Sequence, residues 1–418
     1  MIAFSDTTRE LTKEDFKLPD DIGLEEIREA LKNVVHLETG VFEKEEPHLE
    51  SLMALLPNIS TWSCRDAFGI VEFCGWIPEY HCTKLDYSTA SMKQIGLLHS
   101  TEECLCRLEV LRLYCRYLTK QTYTRIFKCT NLKELRLESA LDFEDDHLRT
   151  ILLKNPHLEV LEIPDCEKLT DDAVSLVHQL ENLRELNLFR CHGVTREFLC
   201  TLGNISTLTA LDIDTWNKVD ITVIQSLLPL RNLRNLRVTH LTPECFELIC
   251  DNFLKLKMLD LGNCKKLGHV SGEKLAQLKE LTCFSVRNAP GFTDETIARG
   301  FGSMALEKLI IMNCPLSDNG LASLTPGTRG LRALQLCKCK NITHSGMEFF
   351  LRHKPLLDIM YLTHLECVGD PFLEAFENLC PRLRILEIVG CGTSDKAAEI
   401  LRRKRPSTWF KHEERSTR

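Results

Sequence analysis

The sequence predicts an α/β solenoid, in which a short strand, a turn and a helix recur along the chain and stack side by side. Three observations predict it. The pattern Leu-x-x-Leu-x-Leu-x-x-Cys recurs from Leu108 onward. Its successive first leucines lie 23 to 27 residues apart, and a period in that range is typical of repeat architectures. Within each copy the Leu-x-Leu alternation has the period of a strand, which places both leucines on one face.

The pattern occurs in twelve copies. The six clearest copies span residues 158–166, 183–191, 256–264, 306–314, 331–339 and 383–391. Six weaker copies start at Leu108, Leu132, Leu208, Leu233, Leu281 and Leu356. A chance arrangement of leucines would not keep this spacing over so many copies, so the repeat governs the fold.

A helix is predicted after each strand. A hydroxyl residue followed by aspartate comes after the cysteine position at Thr170-Asp171, Thr293-Asp294, Ser317-Asp318 and Ser394-Asp395. Such hydroxyls cap free helix N–H groups, and an aspartate in the first turn suits the positive end of the helix dipole. Because one unit cannot bury its own apolar face, the units must stack. The prediction is therefore a leucine-rich-repeat solenoid (horseshoe) with a parallel concave sheet and convex helices.

The repeats are expected to fill nearly the whole chain. Residues 108–401 carry the twelve copies, and residues 31–107 carry degenerate repeats. In that upstream part, Cys82, Leu85, Tyr87 and Ala90 fit the pattern, as do Leu56, Ile59, Thr61 and Cys64, while Leu31 and Val34 fit the beginning of a first copy. Residues 1–30 are interpreted as an N-terminal cap, and residues 402–418 as a basic and polar C-terminal tail that frays.

The 20 cysteines are interpreted as free thiols that pack in the core. The chain begins without a secretory leader pattern, which favours a reducing compartment. Copies that lack the cysteine carry Ala140, Trp216, Leu241, Ala289 or His364 in its place, a mixture that fits a packing position. The net charge of −8 argues against nucleic-acid binding. The sequence contains no apolar run of membrane-spanning length, so no membrane partner is expected.

Three segments identify a family resemblance. They are residues 161–174 (LEIPDCEKLTDDAV), 313–321 (NCPLSDNGL) and 338–347 (KCKNITHSGM). They resemble the cysteine-containing repeats of F-box/leucine-rich-repeat proteins, and the resemblance covers at least residues 105–400. It implies a protein-binding scaffold that serves as the substrate-recognition subunit of a cullin-type (SCF-like) E3 ubiquitin ligase. The implied partners are an SCF adaptor, a cullin and the protein to be ubiquitinated.

The N-terminal part departs from that family. Leu18-Pro19-Asp20-Asp21-Ile22 is similar to the start of an F-box, but the first tryptophan, Trp62, comes too late and no F-box is recognisable. The alternative is therefore a ligase-independent regulator or adaptor that binds a protein through the same repeats. On either interpretation the chain is not an enzyme.

The expected partner-binding residues are those that the register places on the concave face, two, four and six positions after each first leucine. In the repeats from Leu132 to Leu208 they include Arg136 and are predominantly acidic, the acidic members being Glu134, Glu138, Glu162, Glu185, Asp212 and Asp214. They are followed by Arg237, Arg287 and Lys308, and then by the apolar Ile310, Met312, Met360, Leu362, Ile385 and Val389.

This face has a functional and a simpler interpretation. Functionally, an acidic half steers a basic segment of the partner and an apolar cluster further along anchors it. The simpler interpretation is that charged runs are solvated surfaces and that a register error has moved core residues onto the face. The stretch 356–365 is open to such an error, because Leu357, Met360 and Leu362 also fit a register one residue later.

Catalytic, metal and cofactor sites are not expected. The pairs Cys104-Leu-Cys106 and Cys337-Lys-Cys339 lack the Cys-x-x-Cys spacing of structural zinc sites. Phosphate-loop, Gly-x-Ser-x-Gly and His-Glu-x-x-His motifs are absent from the sequence. Repeat arrays that activate small GTPases have longer repeats, so the observed period counts against that class.

The basic run Arg402-Arg403-Lys404-Arg405 has two interpretations. It resembles a short nuclear import signal, and it also suits the negative end of a last, solvated helix. The expected location is therefore the cytoplasm, with the nucleus as the alternative that this run allows.

Overall fold

The computed structural model describes residues 102–114, 120–138, 140–213, 219–268, 270–376 and 379–414, together with three short upstream strands. The chain divides into two compact units, Met1–Phe198 (unit 1) and Leu199–Arg418 (unit 2). Each unit is a stack of strand–turn–helix repeats.

In unit 1 the strands pair in parallel and in chain order. They are β1 (His36–Thr39), β2 (Thr61–Cys64), β3 (Lys84–Ser88), β4 (Val110–Tyr114), β5 (Glu134–Glu138), β6 (Val160–Glu162) and β7 (Glu185–Asn187). The helices are α1 (Glu102–Arg107), α2 (Lys120–Ile126), α3 (Asp145–Lys154) and α4 (Asp171–Val174), which continues as a 3₁₀ turn over Ser175–Gln179, and α5 (Arg196–Leu199) contains the unit boundary.

Unit 2 repeats the same arrangement. Its strands are β8 (Ala210–Asp212), β9 (Asn235–Thr239), β10 (Met258–Gly262), β11 (Cys283–Arg287), β12 (Lys308–Met312), β13 (Ala333–Cys337), β14 (Ile359–Thr363), β15 (Ile385–Cys391) and β16 (Trp409–Glu414). Its helices are α6 (Ile221–Leu227), α7 (Pro243–Asn252), α8 (Val270–Leu275), α9 (Asp294–Gly300), α10 (Asp318–Leu324), α11 (His344–Arg352), α12 (Asp370–Phe376) and α13 (Asp395–Lys404), with 3₁₀ turns at Leu202–Asn204 and Pro326–Thr328. No helix of the described residues is long and apolar enough to cross a membrane.

The predicted α/β leucine-rich-repeat solenoid is confirmed. Each of the twelve sequence copies forms one strand, β4 to β15. The inward leucines are in register from one strand to the next, as Leu161 is with Leu186 in unit 1. Both side chains are buried, so each repeat closes its apolar face against its neighbour.

The cysteine that follows six of these strands is a buried packing residue, as predicted. Cys191 Sγ donates to the carbonyl of Ile163 in the preceding repeat, at 3.1 Å. Burial raises the pKa of the Cys339 thiol to about 12 and that of Cys314 to about 11. The described cysteines are free thiols, and burial keeps the ones in this position protonated and unreactive.

The hydroxyl–aspartate pairs do more than cap helices. Thr170, Ser317 and Ser394 accept hydrogen bonds from backbone N–H groups of the helices that follow them, as predicted, whereas Thr293 makes no such bond. The aspartate also binds the hydroxyl residue of the next repeat. The Asp318 carboxylate accepts from the Thr343 backbone N–H at 2.8 Å and from its Oγ1 at 2.6 Å. These bonds join successive turns, which sequence reasoning did not anticipate.

One register prediction is wrong at the copy that starts at Leu356. Met360 and Leu362 are paired in register with Leu386 and Ile388 and are fully buried. The copy therefore begins one residue later, at Leu357, and Leu365 replaces His364 in the cysteine position. His364 instead adopts the left-handed backbone conformation (φ 51°) at the strand end.

Upstream, the copy with Leu85 and Tyr87 is confirmed, since both are in register with Leu111 and Leu113. The copy built on Ile59 and Thr61 is wrong by three residues, because Trp62 and Cys64 occupy the corresponding positions of β2. Leu31, Val34 and the N-terminal cap 1–30 lie outside the described residues.

The prediction of a fraying tail is wrong for residues 402–414. Helix α13 continues to Lys404, and β16 adds a further parallel strand to the sheet. Arg405 donates to the carbonyls of Leu379 and Cys380 at 3.0 and 2.8 Å. The basic run therefore ends a packed helix, and β16 covers the edge of β15 that would otherwise be unpaired.

Candidate functional site

The face of each sheet that points away from the helices, here called the open face, carries the first, third and fifth residues of its strands. The inward residues of the same strands are buried among the helices. In unit 1 the open face of β4 to β7 is charged, and Arg136 lies at its centre. Its guanidinium contacts the carboxylates of Glu134 and Glu162, and its Nη2 lies 3.4 Å from Glu185 Oε2.

A second arginine completes this cluster. Arg112 Nε donates to Glu134 Oε1 at 2.6 Å. Partial burial alone would raise the pKa of Glu134, but the hydrogen bonds from Arg112 and Arg136 outweigh it and hold the pKa below the usual 4.5. The glutamates also raise the pKa of Arg136 above its usual value, against the opposing effect of burial. Glu134 and Arg136 are therefore both ionised at neutral pH.

The part of the predicted acidic half that lies in unit 1 is thus largely compensated within the molecule. Glu134, Glu162 and Glu185 lie on the open face, as expected, but each is paired with Arg136 of β5, and Glu134 also with Arg112 of β4. The side chain of Glu138 lies outside the described residues. Paired carboxylates steer a basic partner less strongly than free ones, because the arginines cancel most of their field.

A neutral cluster begins the open face of unit 2. Arg237 bridges Asp212 (Nη1 to Oδ2, 2.7 Å) and Asp260 (Nε to Oδ2, 2.9 Å), and Arg287 Nη2 reaches the same Asp260 oxygen at 3.0 Å. Burial lowers the pKa of Arg237, but attraction to Asp212 and Asp260 reverses this and raises it. Of the predicted residues, the structure therefore brings Asp212, Arg237 and Arg287 together. Asp214 lies outside the described residues.

Beyond this cluster the open face of unit 2 becomes apolar. Ile310 and Met312 of β12 lie on it half-buried, as predicted. The strands that follow contribute further half-buried apolar groups, and the tryptophan of β16 is 58% exposed. We call this set the apolar patch; its members are Ile310, Met312, Ile359, Tyr361, Ile385, Val389 and Trp409.

Met360 and Leu362 do not belong to the patch, because the one-residue shift of their strand turns them into the core. The same shift places Ile359 and Tyr361 on the open face in their stead. The sequence signal for this was Leu357, the alternative first leucine. Trp409 was not among the predicted binding residues, because the repeat pattern does not extend to β16.

The open faces, as far as their residues are described, present contact surfaces. No group of three histidine, cysteine or acidic side chains that could hold a metal occurs among the described residues. Cys283 lies on the open face, but burial raises its pKa, which makes it a poorer nucleophile. The chemistry that the open faces offer is therefore that of paired charges and of half-buried apolar side chains.

No sequence model of a known family matches the chain. Over 256 residues, which make up 56% of its length, the chain is 27% identical to F-box/LRR-repeat protein 17 of Arabidopsis thaliana. The chain resembles F-box/LRR-repeat proteins. It spans only 41% of the length of that relative.

Three solved structures also resemble the chain. The Rad7–Elc1 complex of yeast includes a chain with 18% identity and a TM-score of 0.46, matched over 64% of this chain and 83% of that one. A Leptospira interrogans LRR protein has 15% identity and a TM-score of 0.34, over 93% and 98% of the two chains. The TLR13–ssRNA13 complex has 14% identity and a TM-score of 0.42, over 92% and 54%. None of these likenesses bears on what the chain binds.

Proposed function

We propose that the chain is a protein-binding scaffold that holds a partner protein on the open face of unit 2. The observation that carries this proposal is the apolar patch. Seven side chains from β12, β14, β15 and the final β16 strand gather there, on the face that the helices do not cover. Apolar side chains that gather outside a core mark interaction sites on soluble proteins.

The finer proposal is that the scaffold serves as the substrate-recognition subunit of an SCF-like ubiquitin ligase. Its support is the resemblance to F-box/LRR-repeat proteins. In that role the apolar patch receives the protein to be ubiquitinated, and a separate surface contacts the adaptor and cullin. The proposed location is the cytoplasm or the nucleus.

The alternative is a regulator that binds its partner in the same way without a ligase. The compensated charges of unit 1 and the apolar patch of unit 2 serve either role equally well. The two roles differ only in whether a cullin and an adaptor are bound together with the partner protein.

Affinity purification of the tagged chain under reducing conditions tests both parts. The ligase role predicts that a cullin and an adaptor co-purify with wild type and equally with the double variant Ile310→Asp/Met312→Asp. The scaffold role predicts that one or more other proteins co-purify with wild type and are lost from the double variant.

A matched variant keeps this experiment interpretable. Lys338→Asp changes an exposed turn residue that follows β13 and lies outside the patch, so it should leave every interaction intact. Equal recovery of all proteins with the double variant, at an unchanged melting temperature, would refute the open face as the binding surface. Absence of cullin and adaptor from a well-folded wild-type preparation would refute the ligase role alone.

A further inference from the structure

The outermost row of the apolar patch has a defined composition along the sheet. The first residues of the strands are in register from Cys283 through Lys308 to the end of the sheet, and the row continues through Ala333, Ile359, Ile385 and Trp409. The row is therefore cationic at its β12 end, apolar along the rest, and it carries its shortest side chain at β13.

Lys308 is the electrostatic feature of this row. Its side chain is exposed, and among the described residues it forms no ion pair with a carboxylate. The neighbouring cations differ. Arg287 is bound to Asp260, and Lys411 on β16 lies 3.4 Å from Glu387 and 2.9 Å from Glu413. On the β12 side the patch is thus bordered by the uncompensated charge of Lys308.

Ala333 creates room beside that charge. It lies between Lys308 and Ile359 in the row, and its methyl group leaves the space that a longer side chain would fill. A side chain from outside that entered this space would contact Ile359 and the neighbouring Tyr361. Desolvation there favours an apolar group, because the next residue of the row on the β14 side is the apolar Ile359, and the nearby Arg332 is paired with Asp358.

We infer that the apolar patch takes an extended peptide segment of the partner, with an acidic residue over Lys308 and alternate apolar residues along the row. This inference rests on the proposed function and adds the chemistry of the partner to it. Charge complementarity with Lys308 selects the acidic residue, and the apolar row selects the remainder.

The spacing of the sheet sets the pattern of the segment. Neighbouring strands lie about 4.8 Å apart, and an extended chain advances about 3.3 Å per residue with alternate side chains on one face. From the carboxylate over Lys308, the second residue along reaches the space between Ala333 and Ile359. The fourth reaches Ile385, and the sixth reaches Trp409. The segment therefore has the form acidic-x-Φ-x-Φ-x-Φ, where Φ is apolar, in whichever direction the chain runs.

Selection from a phage-displayed library of random nine-residue peptides, on the purified full chain, tests this inference. Peptides of the stated form should be enriched on wild type and lost on Ile310→Asp/Met312→Asp. On Lys308→Glu the acidic preference should change to lysine or arginine, and wild-type-selected peptides should bind about ten-fold more weakly. Lys340→Glu, an exposed lysine in the turn after β13, should leave the preference unchanged.

The outcomes separate this inference from the proposed function. Patch-dependent peptides without an acidic preference, or with one that Lys308→Glu does not alter, would overturn the inference and leave the scaffold role standing. Enrichment that is insensitive to Ile310→Asp/Met312→Asp would overturn both. Dimerisation of the chain in sedimentation experiments, abolished by the double variant, would show that a second copy occupies the patch and would also overturn the inference.

Discussion

The open faces of units 1 and 2 are built on the same strand pattern but carry different chemistry. In unit 1 the face is a lattice of ion pairs centred on Arg136. In unit 2 a neutral cluster around Asp260 gives way to the apolar patch, which Ile310 and Met312 begin. Because the inward residues are equally buried in both units, the difference arises entirely at the alternate positions, which the repeat leaves free to vary.

This comparison separates what stabilises the molecule from what a partner can use. Ion pairs that are satisfied within the sheet contribute little further energy to a complex, because a partner must displace or match bonds that already exist. Exposed apolar groups gain from any partner that removes them from water. The open face of unit 2 is therefore the better binding surface.

The largest predicted effects concern the leucine core, which is built in the same way in each unit. Leu186→Ala in β7 and Leu336→Ala in β13 each remove a buried leucine, and each should lower the free energy of unfolding by about 2–5 kcal/mol. Chemical denaturation followed by circular dichroism measures this. A cost in one unit that is several-fold smaller than in the other would contradict the claim that the two cores are built alike.

A second contrast lies at the turn that follows the repeat helix. In unit 1 this position is Asn155, whose amide accepts from the Leu132 N–H at 2.7 Å and donates to the carbonyls of Cys129 and Ile151. In unit 2 the same position is Lys354, which is buried against the ring of Phe350 at 4.3 Å. Burial, together with the charge of Arg329, lowers its pKa from 10.5 to about 8.

Lys354→Met should therefore stabilise the protein by about 2–3 kcal/mol at pH 7. The folded state holds the Lys354 proton less tightly than the unfolded state, so the penalty is complete below pH 8 and declines up to pH 10.5. Thermal unfolding of wild type and variant across pH 7–10.5 measures the difference in their stability, which should disappear as the pH rises. A difference that is constant with pH would show that the charge of Lys354 does not destabilise the protein.

Asn155→Ala is the matched control for this position. It leaves the Leu132 N–H and the Cys129 carbonyl without their partner, whereas the Ile151 carbonyl keeps the backbone N–H of residue 155, so the variant should be destabilised by about 1–3 kcal/mol. Its effect should not depend on pH over the same range, because the amide does not titrate.

A smaller effect is expected for the ion pairs of unit 1. Arg136→Met leaves Glu134, Glu162 and Glu185 without their central cation, and should cost about 1–2 kcal/mol at pH 7 because the cluster is only partly exposed. The pKa of Glu134 is lowered in the folded state. The stabilisation is therefore complete above the usual pKa of 4.5 and is lost as the pH falls through the lowered value.

Denaturation of wild type and Arg136→Met at pH 7 and pH 3.5 measures this dependence. The difference in stability should shrink at the lower pH. High salt should reduce it as well, since exposed parts of the cluster are screened. If Arg136→Met instead stabilised the chain at pH 7, the ion pairs would lower the free energy of unfolding. The lattice would then have to be regarded as a binding surface and not as a stabilising element.

Much of the fold could be predicted from the sequence because the repeat constrains it so strongly. A leucine such as Leu161 must face inward wherever the strand recurs, and the period places its neighbours. The copy at 356–365 could not be placed with the same certainty, because Leu356 and Leu357 both satisfy the pattern locally. Only pairing with Leu386 and Ile388 decides between them.

The candidate site was less predictable for a physical reason. Sequence places Glu134, Arg136 and Glu162 on the open face, but it does not show that Arg136 is paired with both carboxylates. Such pairing depends on side-chain reach across strands, which spacing along the chain does not reveal. Trp409 lies beyond the last repeat, so its place in the apolar patch depends on β16, for which the pattern carries no signal.

The most direct test of the account is site-specific photo-crosslinking in cells. A photoreactive phenylalanine derivative replaces Met312 in the apolar patch of unit 2, and in a separate variant it replaces Glu162 in the ion-pair lattice of unit 1. We expect a crosslinked partner protein from position 312 and little or none from position 162. Crosslinks that form only from position 162, with both variants folded, would contradict the assignment of binding to the open face of unit 2.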